Sequence, residues 1–424
     1  MKIVKIRLAD YEPAEYNPRP NLQPGDPEFE KLRDSIEEFG WLGLPVVNNQ
    51  TKHYVAGHQR IKVAKLQGIT EMEAIVVDFS LEKEKAANIA INRIGEGSWD
   101  REKLGLLLDE LSKMPDFDIG LTGFETPEIS RILDDLYESK DPDDFDFNGA
   151  VGSIKEAKTK PGDIITLGTH RVMCGDSANE SDLKMLMGDY KIDLVHTDPP
   201  YGCLYLAQNR PDLEARPKKS KRWEKLYKDD LNEQEYEVWI ESVLKNLRPY
   251  LKDGSSAYIW NGHAKFYFMH QILKKLGFHI STVITWAKPT FAISYGDFNQ
   301  QTEFCIFAWL KNASHRWYGP TNETNLWEIN RDRASELIHP TQKSVQIPMR
   351  AIRNSSLRGD VIFDGFLGSG STLIAAESLG RRCFGMEIKP EYIDGLVLRY
   401  INFVGAGKVS EEIRKKYLKE VTNG

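Results

Sequence analysis

Residues able to do chemistry concentrate in two short stretches of this chain. The first is VHTDPPYG, residues 195–202. Proline fixes its own φ and restrains the residue before it. Asp198, Pro199, Pro200 and Tyr201 therefore form a rigid turn at the end of an apolar, strand-like run. A fixed carboxylate beside backbone carbonyls offers only acceptors, which suits a primary or exocyclic amine whose two N–H groups need holding. Tyr201 adds a flat ring on which a base can stack. The competing reading is an ordinary surface Pro-Pro turn with aspartate as its first residue.

The second stretch is VIFDGFLGSGSTLIAAESLGRRCFGMEI, residues 361–388. A β-branched strand runs into Asp364, then a loop with glycines at 365, 368 and 370, then a helix opened by Ser371 and Thr372. Glu387 ends the next strand. This is the layout of a nucleoside-binding βαβ unit: glycines let a ligand approach the backbone, and a later acid accepts hydrogen bonds from ribose hydroxyls. The spacing is neither GxGxxG nor a P-loop, which disfavours a dinucleotide or a nucleoside triphosphate. The plainer alternative is a tight strand-to-helix turn that needs glycine for steric reasons.

Positioning these residues requires an α/β scaffold, and the second part of the chain reads as one. From about residue 160, strands such as KIDLVHTD, SSAYIW, VIFD and RCFGME alternate with helices such as EQEYEVWIESVLKNLRPYL, KFYFMHQILKKLG and STLIAAESLG. That order implies a parallel sheet covered on both faces. DIITLGTHRVMCGD reads as a hairpin ahead of it. The segment SKDPDDFDFNGAVGS, residues 139–153, has four aspartates, a proline and two glycines and no helical period, so it reads as an acidic linker too poor in apolar surface to order itself. Before it, FEKLRDSIEEFG, LPVVNN, HYVAGHQRIKVAKLQG and MEAIVVDFS predict helix, strand, strand–turn–helix and strand. The helix over 29–40 would bury positions 29, 32, 36 and 39, and the second helix would bury Ile61, Ala64 and Leu66. The predicted organisation is an α+β domain over 1–95, a helical extension over 96–138, a linker over 139–158, the main domain over 159–410 and a tail over 411–424.

The bulk numbers suit this reading. The chain has 424 residues, too many for one ordinary core. Its net charge of -7 does not announce a nucleic-acid binder, although a local basic groove would be compatible with it. The four cysteines, at 174, 203, 305 and 383, form no CxxC pair, which argues against a zinc knuckle or a disulfide framework and predicts no metal site. No run approaches the ~18 apolar residues of a membrane span, and the first residues lack a secretory core. A soluble, cytoplasmic protein is the expectation.

DPPY, the FLGSG loop and HPTQKS (339–344), in that order, resemble the β class of amino-group DNA methyltransferases, which take their methyl group from S-adenosylmethionine. The resemblance runs from about 160 to 405. It implies a Rossmann-like fold and methyl transfer to adenine N6 or cytosine N4 of double-stranded DNA. It also implies roles: Asp364, Phe366, Gly368, Ser369, Gly370 and Thr372 around the cofactor, Glu387 on its ribose, Asp176 on its adenine, Thr341 and Lys343 near its amino-acid end, and Asp198 to Tyr201 on the flipped target base. Two departures stand out. Gly365 replaces the proline usual after the loop aspartate, and Ser344 replaces the last proline of HPTQKP. Asp rather than Ser at 198 leans the target towards adenine within that family.

RPDLEARPKKSKRWEKLYK, residues 210–228, carries eight basic residues against three acids, with Trp223 and Tyr227. Arg210, Lys218, Lys219, Lys221 and Arg222 are candidates for phosphate contacts, unless the loop is merely solvated. SHRWYGP (314–320) is a second aromatic-basic candidate, and target recognition would lie within 203–335. The first domain, through VAGHQRIKVAKLQG and NPRP (17–20), resembles the ParB/sulfiredoxin-like fold. Gly57, His58 and Arg60 would open a helix as an anion site. The absence of a cysteine there excludes sulfiredoxin chemistry, leaving a nucleotide, nuclease action or DNA docking open, with His58 as a helix cap or a catalytic group. A homodimer is left open. The rival readings are a ParB-like DNA-binding protein whose second domain is inactive, and methyl transfer to cytosine N4 or RNA.

Overall fold

The structure is a computed structural model and describes residues 2–94, 99–115, 117–138, 143, 145–201, 231–292, 297–329 and 344–418. The chain divides into two compact units, Met1–Ser139 and Lys140–Gly424.

The first unit begins with β1 (Lys2–Arg7), β2 (Glu12–Pro13), α1 (Pro27–Phe39), β3 (Val46–Asn48), β4 (His53–Ala56), α2 (His58–Leu66), β5 (Glu71–Val77) and α3 (Leu81–Ile94). Its sheet runs β1-β5-β3-β4-β2, with β1/β5 and β3/β4 antiparallel and β3/β5 and β2/β4 parallel. Ile6, Leu8, Val47, Tyr54, Ile61, Ala64, Met72 and Ala74 form its core. Leu66 and Phe39, expected inward, are 63% and 65% exposed. Val63, one turn before Gln67, takes the buried place instead. Both misplaced residues end their helices, where the last turn outruns the surface it covers. The region from 101 to 138 is helical, with α4 (Arg101–Ser112) and α5 (Thr126–Glu138). Asp100 caps α4 by accepting from the Lys103 N–H at 3.1 Å. Leu104, Leu107, Leu108 and Leu111 lie one helical turn apart and meet Ile129 and Leu133 of α5 in a separate small core.

The second unit contains α6 (Phe147–Ser153), β6 (Ile164–Leu167), β7 (His170–Cys174), α7 (Glu180–Met187), β8 (Ile192–Thr197), α8 (Glu233–Leu247), β9 (Leu251–Asn261), α9 (Phe266–Lys275), β10 (Phe278–Ala292) and β11 (Gln300–Leu310). Then follow β12 (Leu326–Glu328), α10 (Gln346–Ser355), β13 (Val361–Asp364), α11 (Ser371–Ser378), β14 (Arg382–Glu387), α12 (Pro390–Val404) and α13 (Glu411–Tyr417). Nine strands make one sheet in the order β12-β10-β11-β9-β8-β13-β14-β7-β6. Its middle, β9-β8-β13-β14-β7, is parallel throughout. β8 is buried at all six positions, as a central parallel strand must be. Antiparallel pairs at both sides, β6/β7 and β9/β11/β10, make the sheet mixed rather than purely parallel.

Two expectations change. Part of the acidic linker is ordered. Asp146 caps α6 through the Gly149 N–H, and Phe147 is buried in the core of the second unit, edge-on to Tyr392 of α12 at 5.7 Å. A single well-placed phenylalanine and a docking helix supplied what composition alone could not reveal. The expected tail also packs: Ile413 and Tyr417 of α13 belong to the same core.

Candidate active site

In four adjacent parallel strands, β8, β13, β14 and β7, the chain leaves the carboxyl end through an acid. Asp198 follows β8, Asp364 ends β13, Glu387 ends β14, and Asp176 lies two residues beyond β7. With neighbouring strands ~4.8 Å apart, this row makes an elongated polar ledge at the edge where open α/β sheets bind ligands.

At one end of the ledge, the Tyr201 hydroxyl donates to Asp198 Oδ1 at 2.9 Å. The Tyr201 ring lies against Gly262, just past β9, where a Cβ would come within 3.4 Å of it. Burial, with the charges of Asp198 and Glu303, pushes the Tyr201 phenol well above its ordinary pKa, so it remains a neutral donor. Next along the ledge, Asp364 is 4% exposed. Its Oδ1 accepts from Thr197 Oγ1 at 2.9 Å and from the Phe366 N–H at 3.0 Å, and its Oδ2 accepts from Thr372 Oγ1 at 2.7 Å. Burial pushes this carboxyl up to about 6, against the pull of those three donors. Asp364 thus faces its own protein and fixes the turn, with Thr197 on one side and α11 on the other.

The fastening continues inward. Trp260 Nε1 donates to His196 Nε2 at 3.1 Å, and His196 Nδ1 lies 3.1 Å from Thr372 Oγ1. Because Nε2 accepts, the neutral ring carries its proton on Nδ1 and donates it to Thr372, whose own proton goes to Asp364. One chain of hydrogen bonds therefore ties β9, the strand of the DPPY turn and the glycine loop. Sequence reasoning found Thr372 and Asp364 but neither His196 nor Trp260, which look like ordinary strand residues until β8 and β9 are paired.

The glycine loop needs its glycines. Gly370, at φ +87°, caps α11 in the left-handed region, and a Cβ there would lie 3.0 Å from Leu396 of α12. The Gly368 N–H donates to Glu387 Oε2 and the Lys389 N–H to Glu387 Oε1, both at 3.0 Å. Burial raises the Glu387 pKa despite these donors. The Asp176 Oδ1 accepts from the Ala178 N–H at 2.9 Å. The Phe366 ring meets Trp239 of α8 at 5.6 Å, and Asn246 ties α8 to the carbonyl of Ala178. Beside the ledge, Trp239 Nε1 and Asn261 Oδ1 are buried without a hydrogen-bond partner among the described residues. Such orphans fit a site built for a polar ligand.

Gly365, the departure from the proline pattern, has a matched neighbour. Ser177 Oγ donates to the Gly365 carbonyl, and a Cβ at 365 would lie 2.9 Å from that hydroxyl. The Gly365 N–H, which proline lacks, donates to Thr197 Oγ1 at 3.2 Å. Gly365→Ala is expected to weaken cofactor binding about tenfold, and Ser177→Ala in the same chain to restore most of it, a coupling of ~1 kcal/mol readable by titration calorimetry. Additive losses would break the pairing argument.

Among the other expected residues, Thr341, Lys343, Arg210, Lys218, Lys219, Lys221 and Arg222 lie outside the described residues. Ser344 is buried, and its hydroxyl accepts from the Gln346 N–H at the start of α10. The stretch 314–320 is not beside the ledge. Arg316 pairs with Asp193 and Asp360, which precede or begin β8 and β13 at the opposite edge of the sheet, and Trp317 packs on Phe307. Its arginine is engaged in a part-buried ion pair with the buried Asp193. In the first unit, Gly57 takes φ +87° under Pro45 and opens α2. His58 is the first helical residue rather than the cap. Burial, aided by His53, lowers its pKa to about 4, and its Nε2 has no partner among the described residues. Arg60 is exposed beside Gly43.

A Rossmann-like sheet with a glycine turn, the strand-end acid Glu387 and a rigid DPPY turn along one edge has the layout of an S-adenosylmethionine-dependent methyltransferase. The DNA methylase family model matches residues 192–398, the ParB-methyltransferase HTH domain residues 102–161, and the ParB N-terminal domain residues 1–93. The three matches give the chain the domain order of a ParB–methyltransferase fusion, with a DNA methylase domain over 192–398. It is 28% identical over 246 residues to the type II methyltransferase M2.MboI of Moraxella bovis, covering 54% of this chain and 88% of that one. It is 26% identical to M2.DpnII of Streptococcus pneumoniae, covering 48% and 80%, and 26% identical to M.HinfI of Haemophilus influenzae, covering 48% and 61%. Among solved structures it resembles the M1.HpyAVI–SAM complex at 22% identity and TM-score 0.41, covering 54% of this chain and 97% of that one. It also resembles the cytosine-N4-specific PvuII DNA methyltransferase at 20% identity and TM-score 0.45, covering 62% and 95%.

Proposed function

We propose that this chain methylates adenine N6 in double-stranded DNA after turning the base out of the helix. The observation that carries the reading is the row of strand ends bearing Asp198, the glycine loop, Glu387 and Asp176 side by side. S-adenosylmethionine, when bound, supplies an electrophilic methyl group. The Glu387 carboxylate is set to take ribose hydroxyls and Asp176 the cofactor's adenine. The backbone of Phe366 to Gly370 gives room for close approach, and the Phe366 ring, braced by Trp239, offers an apolar face.

The target amine meets acceptors only. Asp198 and the Pro199 carbonyl take its two hydrogens, which leaves the nitrogen lone pair directed away from them. The Tyr201 hydroxyl now sits on Asp198 Oδ1, so it yields that oxygen when the amine arrives. Its ring then stacks on the extruded base and offsets part of the few kcal/mol that flipping costs, by ~1–3 kcal/mol. Positioning and hydrogen bonding do the rest. Aspartate at 198 supports adenine, and the kinship to type II methyltransferases supports a role as a modification enzyme.

The test is chemical. DNA incubated with enzyme and S-adenosylmethionine, digested to nucleosides and read by mass spectrometry, is expected to contain N6-methyladenine. N4-methylcytosine in its place would move the target, and no methylated nucleoside would overturn the reading.

A second reading concerns the first unit. We propose that Gly57, His58 and Arg60 hold an anionic ligand such as a nucleotide phosphate. The unpartnered, neutral His58 Nε2 beside a helix N-terminus supports this.

A further inference from the structure

The acidic stretch at the start of the second unit also holds the cofactor loop. Arg399 of α12 is 2% exposed. Its Nε donates to Asp143 Oδ2 at 2.7 Å, and a second guanidinium nitrogen lies 2.5 Å from the same oxygen. The third nitrogen donates to the Ser369 carbonyl at 2.7 Å and to its hydroxyl at 3.1 Å. Asp143 belongs to the acidic stretch at the start of the second unit, and Ser369 lies inside the glycine loop. A buried guanidinium is therefore neutralised by that stretch on one side and fastens the cofactor loop on the other.

The same helix face does this more than once. Tyr392, then the adjacent pair Gly395 and Leu396, then Arg399 follow one another at steps of three or four residues, on one side of α12. Tyr392 meets Phe147 of α6. Gly395 lies so close to α6 that a Cβ would come within 2.6 Å of Val151 and 3.0 Å of Phe147. Leu396 sits under Gly370, the cap of α11. Further along, Asp394 accepts from the backbone N–H groups of Lys158 and Thr159, at 2.6 and 3.0 Å. Asp143 and the stretch 145–159 are thus fastened along α12, and α12 braces the loop.

We propose that Asp143 and Arg399 are positioning residues for methyl transfer: the docked acidic stretch sets the affinity of the glycine loop for S-adenosylmethionine. Removing Asp143 leaves the Arg399 charge buried and unpaired, and a buried charge in that state pulls water or a new partner towards itself. The Ser369 carbonyl loses its fixed donor, and the loop loses its set shape. This rests on the reading of the ledge as a cofactor site, so the test separates the two. Calorimetric titration of the full chain with S-adenosylmethionine is expected to show a dissociation constant raised roughly tenfold by Asp143→Asn, with partial recovery in Asp143→Glu. At saturating cofactor, kcat and the KM for DNA should stay within about twofold of the parent. Gly395→Ala, which levers α6 off without touching Ser369 or Arg399, should raise the same constant in the same direction. If Asp143→Asn and Gly395→Ala bind the cofactor as tightly as the parent, even with a lowered melting temperature, the segment is only structural and the inference fails. If the parent chain binds no S-adenosylmethionine, the reading of the site fails instead.

Discussion

Asp198→Ala is expected to lower kcat by about 10²–10³-fold while leaving S-adenosylmethionine binding within twofold of the parent. The carboxylate stands at the β8 end of the ledge, and Glu387 and Asp176 are two and three strands away, so its loss should spare the cofactor. Asp198→Asn is expected to fall between the two, since its amide can accept one hydrogen bond but turns a donor towards an amine that needs acceptors. The Tyr201 contact gives a control. Tyr201→Phe removes the hydroxyl that now occupies Asp198 Oδ1 and keeps the ring, so it should retain most activity. Tyr201→Ala removes the stacking face and should raise the KM for DNA and lower kcat. Tritium transfer from labelled cofactor over a range of DNA concentrations measures all four. An Asp198→Ala enzyme with parental kcat would sink the assignment of the turn.

Asp364→Ala is expected to disable both halves of the site together. It strands the Thr197 and Thr372 hydroxyls and the Phe366 N–H, all in the interior, at a cost of about 3 kcal/mol in stability and most of the cofactor affinity. The same group predicts a pH dependence. Burial holds the carboxyl at about 6, above its ordinary 3.8, so the folded chain carries an extra proton between those values. On this group's account stability is highest below 3.8 and declines as pH rises towards 6. Cofactor affinity should run the other way. Below about 6 one oxygen becomes a donor facing donors, and the turn loosens. Fluorescence titration with S-adenosylmethionine from pH 8 to 5 is expected to show affinity falling through about 6 in the parent and little pH dependence in Asp364→Asn. A parent profile as flat as the variant's would show that Asp364 stays charged throughout.

Much of the site was legible because its geometry is local. A proline pair fixes the turn after β8 wherever that strand lies. Gly370 declares a left-handed cap, and Glu387 follows Asp364 by one strand–helix–strand unit. The alternation of elements named the sheet, and the order of three motifs named the family. What escaped was what depends on pairing distant strands. His196 and Trp260 meet only because β8 and β9 are neighbours, with Thr197 opposite Ile259. Trp239 matters only because α8 lies over Phe366. That Arg316 of the 314–320 stretch pairs with Asp193 and Asp360 was likewise invisible, because composition shows a charge but not the sheet edge on which it falls.

The sequence by itself determined which groups are on offer: a carboxylate on a proline-fixed turn, a glycine loop between a strand and a helix, and an acid at the end of the next strand. Those properties reside in neighbouring residues and in the dihedral limits of proline and glycine. Only the tertiary structure decided that four acids share one edge, that Asp364 is held by Thr197, Thr372 and the Phe366 N–H, and that the acidic segment docks on α12. Each of these rests on a contact between residues far apart in the chain, and burial sets its strength. A charge such as Asp143 reads as solvated in the sequence and becomes half of a buried pair only when Arg399 is brought to it.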